Sequence, residues 1–369
     1  MIKNTMKIAE IIQTIEEFAP LSYQESYDNA GLIIGDRNAV CTGVLICLDT
    51  IEAVIDEAIC KKINLVVAHH PIVFSGLKKI TGKNYIERVV LKAIKNDIAI
   101  YACHTNLDNV ILGVNHQIAN QLGLVNRKIL EPQKKLLKKL YTYVPFNKTD
   151  EVLEALFRAE AGNIGNYNEC SFQVSGSGSF KGNEKAMPFV GEKGKRHIES
   201  ENKIEVIFPG YKENNILRAL KEAHPYEEVA YEIITLDNTF QEMGAGMIAE
   251  LASPMEEIAF LSFLKDKMQT ACIRHTALLN KPVKRVAFCG GAGSFLLNQA
   301  IAQKADVFIS GDFKYHQFFD ADNQILICDI GHFESEQFTS QLFNKILSEK
   351  FPTFAVLISE INTNPVNYF

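Results

Sequence analysis

Two separated stretches of the chain repeat one alternation of short, unbroken apolar runs with helical periods, and this alternation restricts the fold more than any other feature. From residue 31 to 122 the order is Gly31 to Gly35, Val44 to Leu48, a helix over about 51 to 62, Leu65 to Ala68, a helix near 84 to 95, Ile98 to Ala102, then a further helix. The second stretch runs through Val283 to Cys289, a helix from Ser294, Val307 to Ile309, a short helix, Ile325 to Cys328, a long helix over about 334 to 349, and Phe354 to Ile358. Runs that are apolar on both faces belong to strands covered on both sides, as a mostly parallel sheet with flanking helices requires. The predicted class is α/β, in two βαβ-rich halves.

Between the halves both composition and rhythm change. Residues 162 to 182 are rich in Gly and Ser, and 191 to 203 in Lys and Glu. A weak internal repeat lies here: Tyr143-Val144-Pro145 before a helix with Ala155 and Leu156, then Ile207-Phe208-Pro209 before a helix with Ala219 and Leu220. Each copy continues into a strand-like run, Ser171 to Val174 and Val229 to Ile234, so the segment reads as a ferredoxin-like α+β unit. The expected organisation is a first half over 1–136, an inserted domain over 137–237 and a second half over 238–369.

A chain of 369 residues with 47% hydrophobic and 22% charged residues has ample material for a buried core. A net charge of -6 offers no general attraction to nucleic acid or to an anionic membrane, so neither is the expected partner. The eight cysteines are spread out, form no C-x-x-C pair and mostly sit in apolar runs, and so read as buried free thiols. Residues 1 to 18 are amphipathic through Ile8, Ile11, Ile12 and Ile15 but interrupted by glutamates, unlike a signal peptide. No apolar stretch is long enough to span a bilayer, and a reducing cytoplasm is the expected location.

The chemistry lies at strand ends. Asn64 to Ala68 runs directly into His69-His70-Pro71. Neighbouring side chains of a strand face opposite ways, so both histidines serve one site only if the chain leaves the strand there, which Pro71 favours. Alone, the pair could equally be surface or packed histidines. A second strand ends in His104-Thr105-Asn106-Leu107-Asp108. A third ends in Asp329-Ile330-Gly331-His332 and opens a helix carrying Glu334 and Glu336, where a spacing of four sets His332 and Glu336 on one face. Imidazole with carboxylate suits zinc, iron or manganese. His69, His70, Asp108, His332 and Glu336 suffice for two divalent ions if Asp108 or Glu336 bridges them, and paired ions are the basis of two-metal hydrolysis. His104 is the candidate catalytic acid or base, with a sixth ligand, a group orienting Asp108, or a backbone-bonded histidine as its other readings. Cys103 sits in an apolar strand and is set aside as a nucleophile.

Taken in order, Glu25 to Leu32, His69-His70-Pro71, His104 to Asp108, Gly311 to His316 and Gly331 to Glu336 resemble the GTP cyclohydrolase 1 type 2 homologue family, also called NIF-three-like, across nearly the whole chain. The resemblance implies an α/β fold with a dinuclear centre ligated by His69, His70, Asp108, His332 and Glu336. It also implies a CutA-like or PII-like insertion, with Pro209-Gly210 and His224-Pro225-Tyr226-Glu227-Glu228 in matching places, and a toroidal homohexamer. Tyr27 stands where the family usually has tryptophan.

Other features read two ways. The Gly290-Gly291-Ala292-Gly293-Ser294 turn can cradle a phosphate or allow close helix packing. Lys314, Tyr315 and His316 can contact an anionic substrate or start a solvated helix. Asp28, Asn29 and Asp49 can bond ligands or cap turns. The leading function is a metal-dependent hydrolase of a small, nucleotide-like molecule, with GTP ring opening as the example the resemblance implies. Its rivals are a non-catalytic metal-binding or metal-insertion protein, and an inserted domain acting as a sensor or assembly module.

Overall fold

The structure is a computed structural model that describes residues 6–369; the first five residues of the amphipathic N-terminal segment lie outside the described part. The chain forms two compact units, 1–132 with 241–369, and 133–240.

The discontinuous unit holds two sheets. In the first, Gly31–Ile34, Ala99–Ala102, Leu65–Ala68, Val44–Cys47 and Val356–Ile358 lie side by side. All are parallel except Gly31–Ile34, which runs antiparallel at the edge. Leu65–Ala68 and Ala99–Ala102 are buried along their whole length, which is why their sequences show no alternation. The helices Glu52–Cys60 and Tyr85–Lys95 cover this sheet with Val54, Ile55, Ala58, Val89 and Ala93. Each of the valine and isoleucine side chains contributes roughly 1.5–3 kcal/mol by leaving water. Ile8–Phe18 is helical and buries Ile8, Ile11, Ile12 and Ile15.

The second sheet has the order Arg274–His275, Leu326–Asp329, Val307–Gly311, Val283–Ala292, Thr239–Met255, Val125–Lys134. Only the three strands from Val283 to Asp329 are mutually parallel; Thr239–Met255 and Arg274–His275 pair antiparallel with their neighbours. Both sheets are therefore mixed, not simply parallel. The two stretches of sequence also do not keep to separate sheets. Val356–Ile358, from the end of the chain, pairs with Val44–Cys47 and completes the first sheet.

Two further expectations are corrected. The long helix over 334 to 349 is two helices, His332–Glu336 and Thr339–Lys350. Between them Phe338 turns into the core and Gln337 Nε2 bonds the carbonyl of Met268 at 2.9 Å. All eight cysteines are free, but Cys60 and Cys272 are exposed and Cys170 is partly so.

The 133–240 unit has the connectivity β-α-β-β-α-β: Leu137–Pro145, Thr149–Arg158, Ser171–Lys181, Arg196–Pro209, Glu213–Ala223, Tyr231–Thr235. Its sheet is antiparallel throughout. In space the third strand lies between the second and first, with the fourth on the far side of the first, which is ferredoxin-like topology. The internal repeat has a packing cause, since Leu156 and Leu220 enter the same core from the two helices. The Gly- and Ser-rich and the Lys- and Glu-rich passages largely pair as a long hairpin, Ser171 opposite Val206 through Lys181 opposite Arg196.

Among the described residues, the 133–240 unit has a core cluster of its own, with Leu140, Val144, Leu156, Ile204, Phe208 and Leu220. Val125–Lys134, which leads out of the discontinuous unit, neighbours Thr239–Met255, which leads back into it, so the break in that unit closes over a short gap. Replacing 133–240 by a short Gly and Ser linker should leave one cooperative thermal transition in the remainder and the same uptake of added zinc as in the full chain. A linker variant lacking cooperative melting would mean that the two units share a core.

Candidate metal centre

Three strand ends meet inside the discontinuous unit. At the first, His69 and His70 leave the strand in a bend, and their amides bond back to Leu48 O at 3.2 and 3.0 Å. The two rings can then face one place, with centroids 4.8 Å apart. At the second, His104 precedes the five-residue helix Thr105–Asn109, which carries Asp108. At the third, Gly331 takes φ 94°, a conformation that suits glycine, and the helix His332–Glu336 sets His332 Nε2 3.2 Å from Glu336 Oε2.

Outer hydrogen bonds fix which nitrogen of each ring points inward. Nδ1 of His69 lies 2.9 Å from Cys103 O. Nδ1 of His70 lies 2.8 Å from Asp49, that of His104 2.8 Å from Asp28, and that of His332 2.7 Å from Asp312. A carbonyl or carboxylate oxygen only accepts, so each Nδ1 carries a proton, and whenever a ring is neutral its Nε2 is the nitrogen left with a lone pair. Those nitrogens converge. His70 Nε2 and His332 Nε2 are 3.3 Å apart, and they lie 3.0 and 3.2 Å from Oε2 of Glu336. His69 Nε2 is 3.6 Å from Asp108 Oδ1 and 3.8 Å from Glu336 Oε1.

The donors group as His70, His332 and Glu336; His69, Asp108 and Glu336; and His69, His70 and His104, each set within 4.8 Å. Glu336 is common to the first two. His69 Nε2, Asp108 Oδ1 and Glu336 Oε2 are buried without a hydrogen-bond partner. Buried polar atoms left in this way are costly unless something else satisfies them. Nitrogen and oxygen donors with no sulfur fit a divalent transition metal.

The charges point the same way. Burial disfavours charge on Glu336, yet the imidazoles of His332 and His69 hold its carboxyl well below the usual range. Burial pushes Asp108 up, and the neighbouring charge of Glu336 adds to the shift. Burial works against charge on His70, but Asp49 and Glu336 outweigh it and push its pKa up to about 10. His332 is likewise raised to about 9, against burial, by Glu336 and Asp312. The inner carboxylates thus hold positive charge on the two imidazoles, and a bound divalent metal would take the place of those protons.

Glycines provide the room. A Cβ on Gly291, at φ 60°, would stand 2.5 Å from Glu336 Oε1, and one on Gly311 would stand 2.8 Å from the His332 amide nitrogen. The phosphate-cradle reading of the glycine turn is corrected here. The amides of Gly290, Gly291 and Gly293 already donate to Asn115 Oδ1, Ser335 Oγ and Ser310 Oγ. Close packing accounts for the glycines: Gly290 against Val114 and Glu336, Gly291 against Glu336 and His332, and Gly293 against Cys289 and Ser310.

The Duf34/NIF3 (NGG1p interacting factor 3) family profile matches residues 6–365. This chain belongs to the Duf34/NIF3 family. A Bacillus subtilis relative described as a GTP cyclohydrolase 1 type 2 homolog is 38% identical over 365 residues, covering 97% of this chain and 98% of its own length. One from Staphylococcus aureus with the same description is 34% identical over 368 residues, covering 98% of this chain and 100% of its own. The solved structure of a Bacillus cereus protein related to NIF3 has a TM-score of 0.88 at 35% identity, covering 100% of both chains. No helix among the described residues is long and apolar enough to cross a membrane.

Beside the donors of this Duf34/NIF3 chain opens a cavity of about 630 Å³, with His70, His104, Phe74, Arg274, Phe333 and Tyr368 in its wall. Lys314, Tyr315 and His316 are exposed and do not line it. Glu334 accepts from Asn364, while Asp329 pairs with Arg274 and accepts from the Phe313 amide, so neither joins the donor sets. Asp28 backs His104 instead of capping a turn alone, and its carboxyl is lowered to about 2; burial opposes that shift, but hydrogen bonds from His104 and Thr105 outweigh it. Asn29 turns away and bonds Val73 O. The ring of Tyr27 lies 6.4 Å from that of Phe74, which in turn meets His104.

Sequence reasoning passed over Asp312 and Thr363. Thr363, near the end of the chain, donates to Asp49 Oδ2 at 2.9 Å and so steadies the carboxylate behind His70. An acidic residue directly after a strand-end glycine was a usable signal for Asp312; Thr363 had none. Carboxylates behind ligand histidines fix ring orientation, and their loss typically weakens metal binding about 10–100-fold. Asp312→Ala is expected to do so, and Thr363→Val to do so more mildly, in competition titrations with a chelator. Wild-type affinity in both variants would show that these contacts do not orient the rings.

Proposed function

We propose that the chain holds two divalent transition-metal ions, zinc, iron or manganese, and is a hydrolase of a small, nucleotide-like molecule. One observation carries the reading: the two oxygens of Glu336 face different donors, Oε1 toward His69 and Oε2 toward His70 and His332. A carboxylate so placed would be shared by two ions, with Asp108 and His69 available to hold one and His70 and His332 the other. Bound ions there supply polarisation of a substrate oxygen and activation of water.

The chain's own groups supply the rest. His104 presents Nε2 to the cavity while Asp28 holds its Nδ1, the arrangement of a general acid or base that takes or gives a proton at Nε2. Phe74, Phe333 and Tyr368 offer apolar faces to a planar ring, and Arg274, paired with Asp329, has further N–H groups for an acceptor on the substrate. The name carried by the relatives supports a nucleotide as the substrate class. We further infer a homohexamer, and a CutA-like or PII-like character for the 133–240 unit that rests on its strand order.

Elemental analysis after reconstitution with zinc, iron or manganese should give close to two ions per chain, and Glu336→Gln should lower occupancy of both positions together. Stoichiometry that stays at zero with all three metals overturns the proposal. The metal-loaded protein should turn over a member of a nucleotide panel, and His104→Ala should keep its metal while slowing turnover about 10²–10⁴-fold. A loaded protein inert toward the whole panel would favour the non-catalytic metal-binding reading. Light scattering should return the mass of six chains, and a monomer mass would remove the hexamer.

A further inference from the structure

The motif His224-Pro225-Tyr226-Glu227-Glu228 has no part in the metal centre. Within the 133–240 unit its shape is set by buried His224, whose Nε2 donates to Tyr143 O at 2.9 Å while Nδ1 accepts the Tyr226 amide at 3.1 Å. This clamp directs Tyr226 so that its hydroxyl donates to Oε1 of Glu201 at 2.7 Å. Both residues line a cavity of about 690 Å³ beside the Ser175 to Ser179 run. The rings of Phe180 and Phe189, also in its wall, lie 6.1 and 6.3 Å from that of Tyr226.

Glu201 is out of place in such a wall. It is only 7% exposed, and among the described residues the Tyr226 hydroxyl is its one hydrogen-bond donor and no ion pair reaches it. Among the described residues no nearby base forms an ion pair with Glu201. Lys203 pairs with Glu205 and sits 4.1 Å over the Tyr141 ring, and His197 pairs with Glu199. Burial lowers the pKa of His224, which keeps that ring neutral, and Lys181, at the cavity edge, is exposed. A Cβ on Gly178 would overlap Glu201 Oε2, so the carboxylate reaches its position only because that residue is glycine.

A carboxylate accepts several donors, and a buried one without a counter-ion is costly. No group of three metal-ligating side chains lies in this unit among the described residues, so a metal ion is not the fitting counter-charge. Aromatic faces attract ammonium groups, and a carboxylate bonds them with charge assistance. Glu227 and Glu228, which line the same cavity, add to its negative potential. The volume is that of a small-molecule pocket.

We propose that this cavity binds a small organic cation, a primary ammonium on an aromatic or apolar skeleton, with Glu201 as its anionic anchor and Phe180, Phe189 and Tyr226 as its wall. The test is calorimetric titration of the full chain with phenethylammonium chloride and with 2-phenylethanol, which keeps the skeleton and replaces the ammonium by a hydroxyl. The ammonium should bind saturably and the alcohol about tenfold or more weaker; Glu201→Gln should weaken the ammonium by a similar factor. Phe189→Ala, at a half-exposed position, should weaken it as well with the melting temperature unchanged, and it decides the matter if the Glu201 variant does not fold. Equal binding of the two compounds, no saturable binding of the ammonium, or an ammonium affinity indifferent to the variants that fold overturns the proposal.

Discussion

Glu336 is buried with imidazoles on two sides, and the rest of the discontinuous unit is arranged around that contact. Its carboxylate is 3% exposed, a position that a charge tolerates only with compensation close by. The compensation comes from groups that are themselves committed on their outer side: His70 to Asp49, His332 to Asp312 and His69 to the carbonyl of Cys103. Each outer bond orients a ring so that its Nε2 faces Glu336, as an N–H when the ring is protonated and as a ligand lone pair if a metal takes the place of that proton. The outer contacts therefore decide the chemistry of the inner ones.

Bringing these groups together places demands on the backbone that apolar packing alone would not create. Strand ends from both sheets have to meet, and the helix His332–Glu336 has to lie almost against Val283–Ala292. Side chains at Gly291 and Gly311 would prevent that approach. The same helix has to stop after one turn so that Phe338 can enter the core. Asn115 links the parts, accepting the amide of Gly290 and donating to the carbonyl of Asp108. Loss of any of these fittings moves a donor while leaving most of the hydrophobic core as it was.

The 133–240 unit follows the same logic on a smaller scale. Its fold rests on an ordinary apolar core between two helices and one face of a sheet. A costly feature within it, the buried carboxylate of Glu201, is held by a tyrosine that a buried histidine positions. Polar groups buried at a cost mark the place in each unit where packing gives way to chemistry.

How much of this was legible beforehand follows from what is local. Unbroken apolar runs, the break at Pro71, the i,i+4 spacing of His332 and Glu336 and the two Pro-helix repeats are properties of neighbouring residues, so the sequence by itself determined the α/β class, the strand ends and the residue types gathered there. The antiparallel edges of both sheets, the return of Val356–Ile358 to the first sheet and the pairing of the Gly- and Ser-rich run into a long hairpin depend on backbone hydrogen bonds between distant segments, which leave no local pattern. Glu336, rather than Asp108, as the carboxylate common to two donor sets was likewise fixed only in three dimensions. So were Asp49, Asp312 and Thr363 as supports, because a hydrogen bond across 20 to 314 residues of chain is a matter of distance in space, and only the folded chain sets that distance.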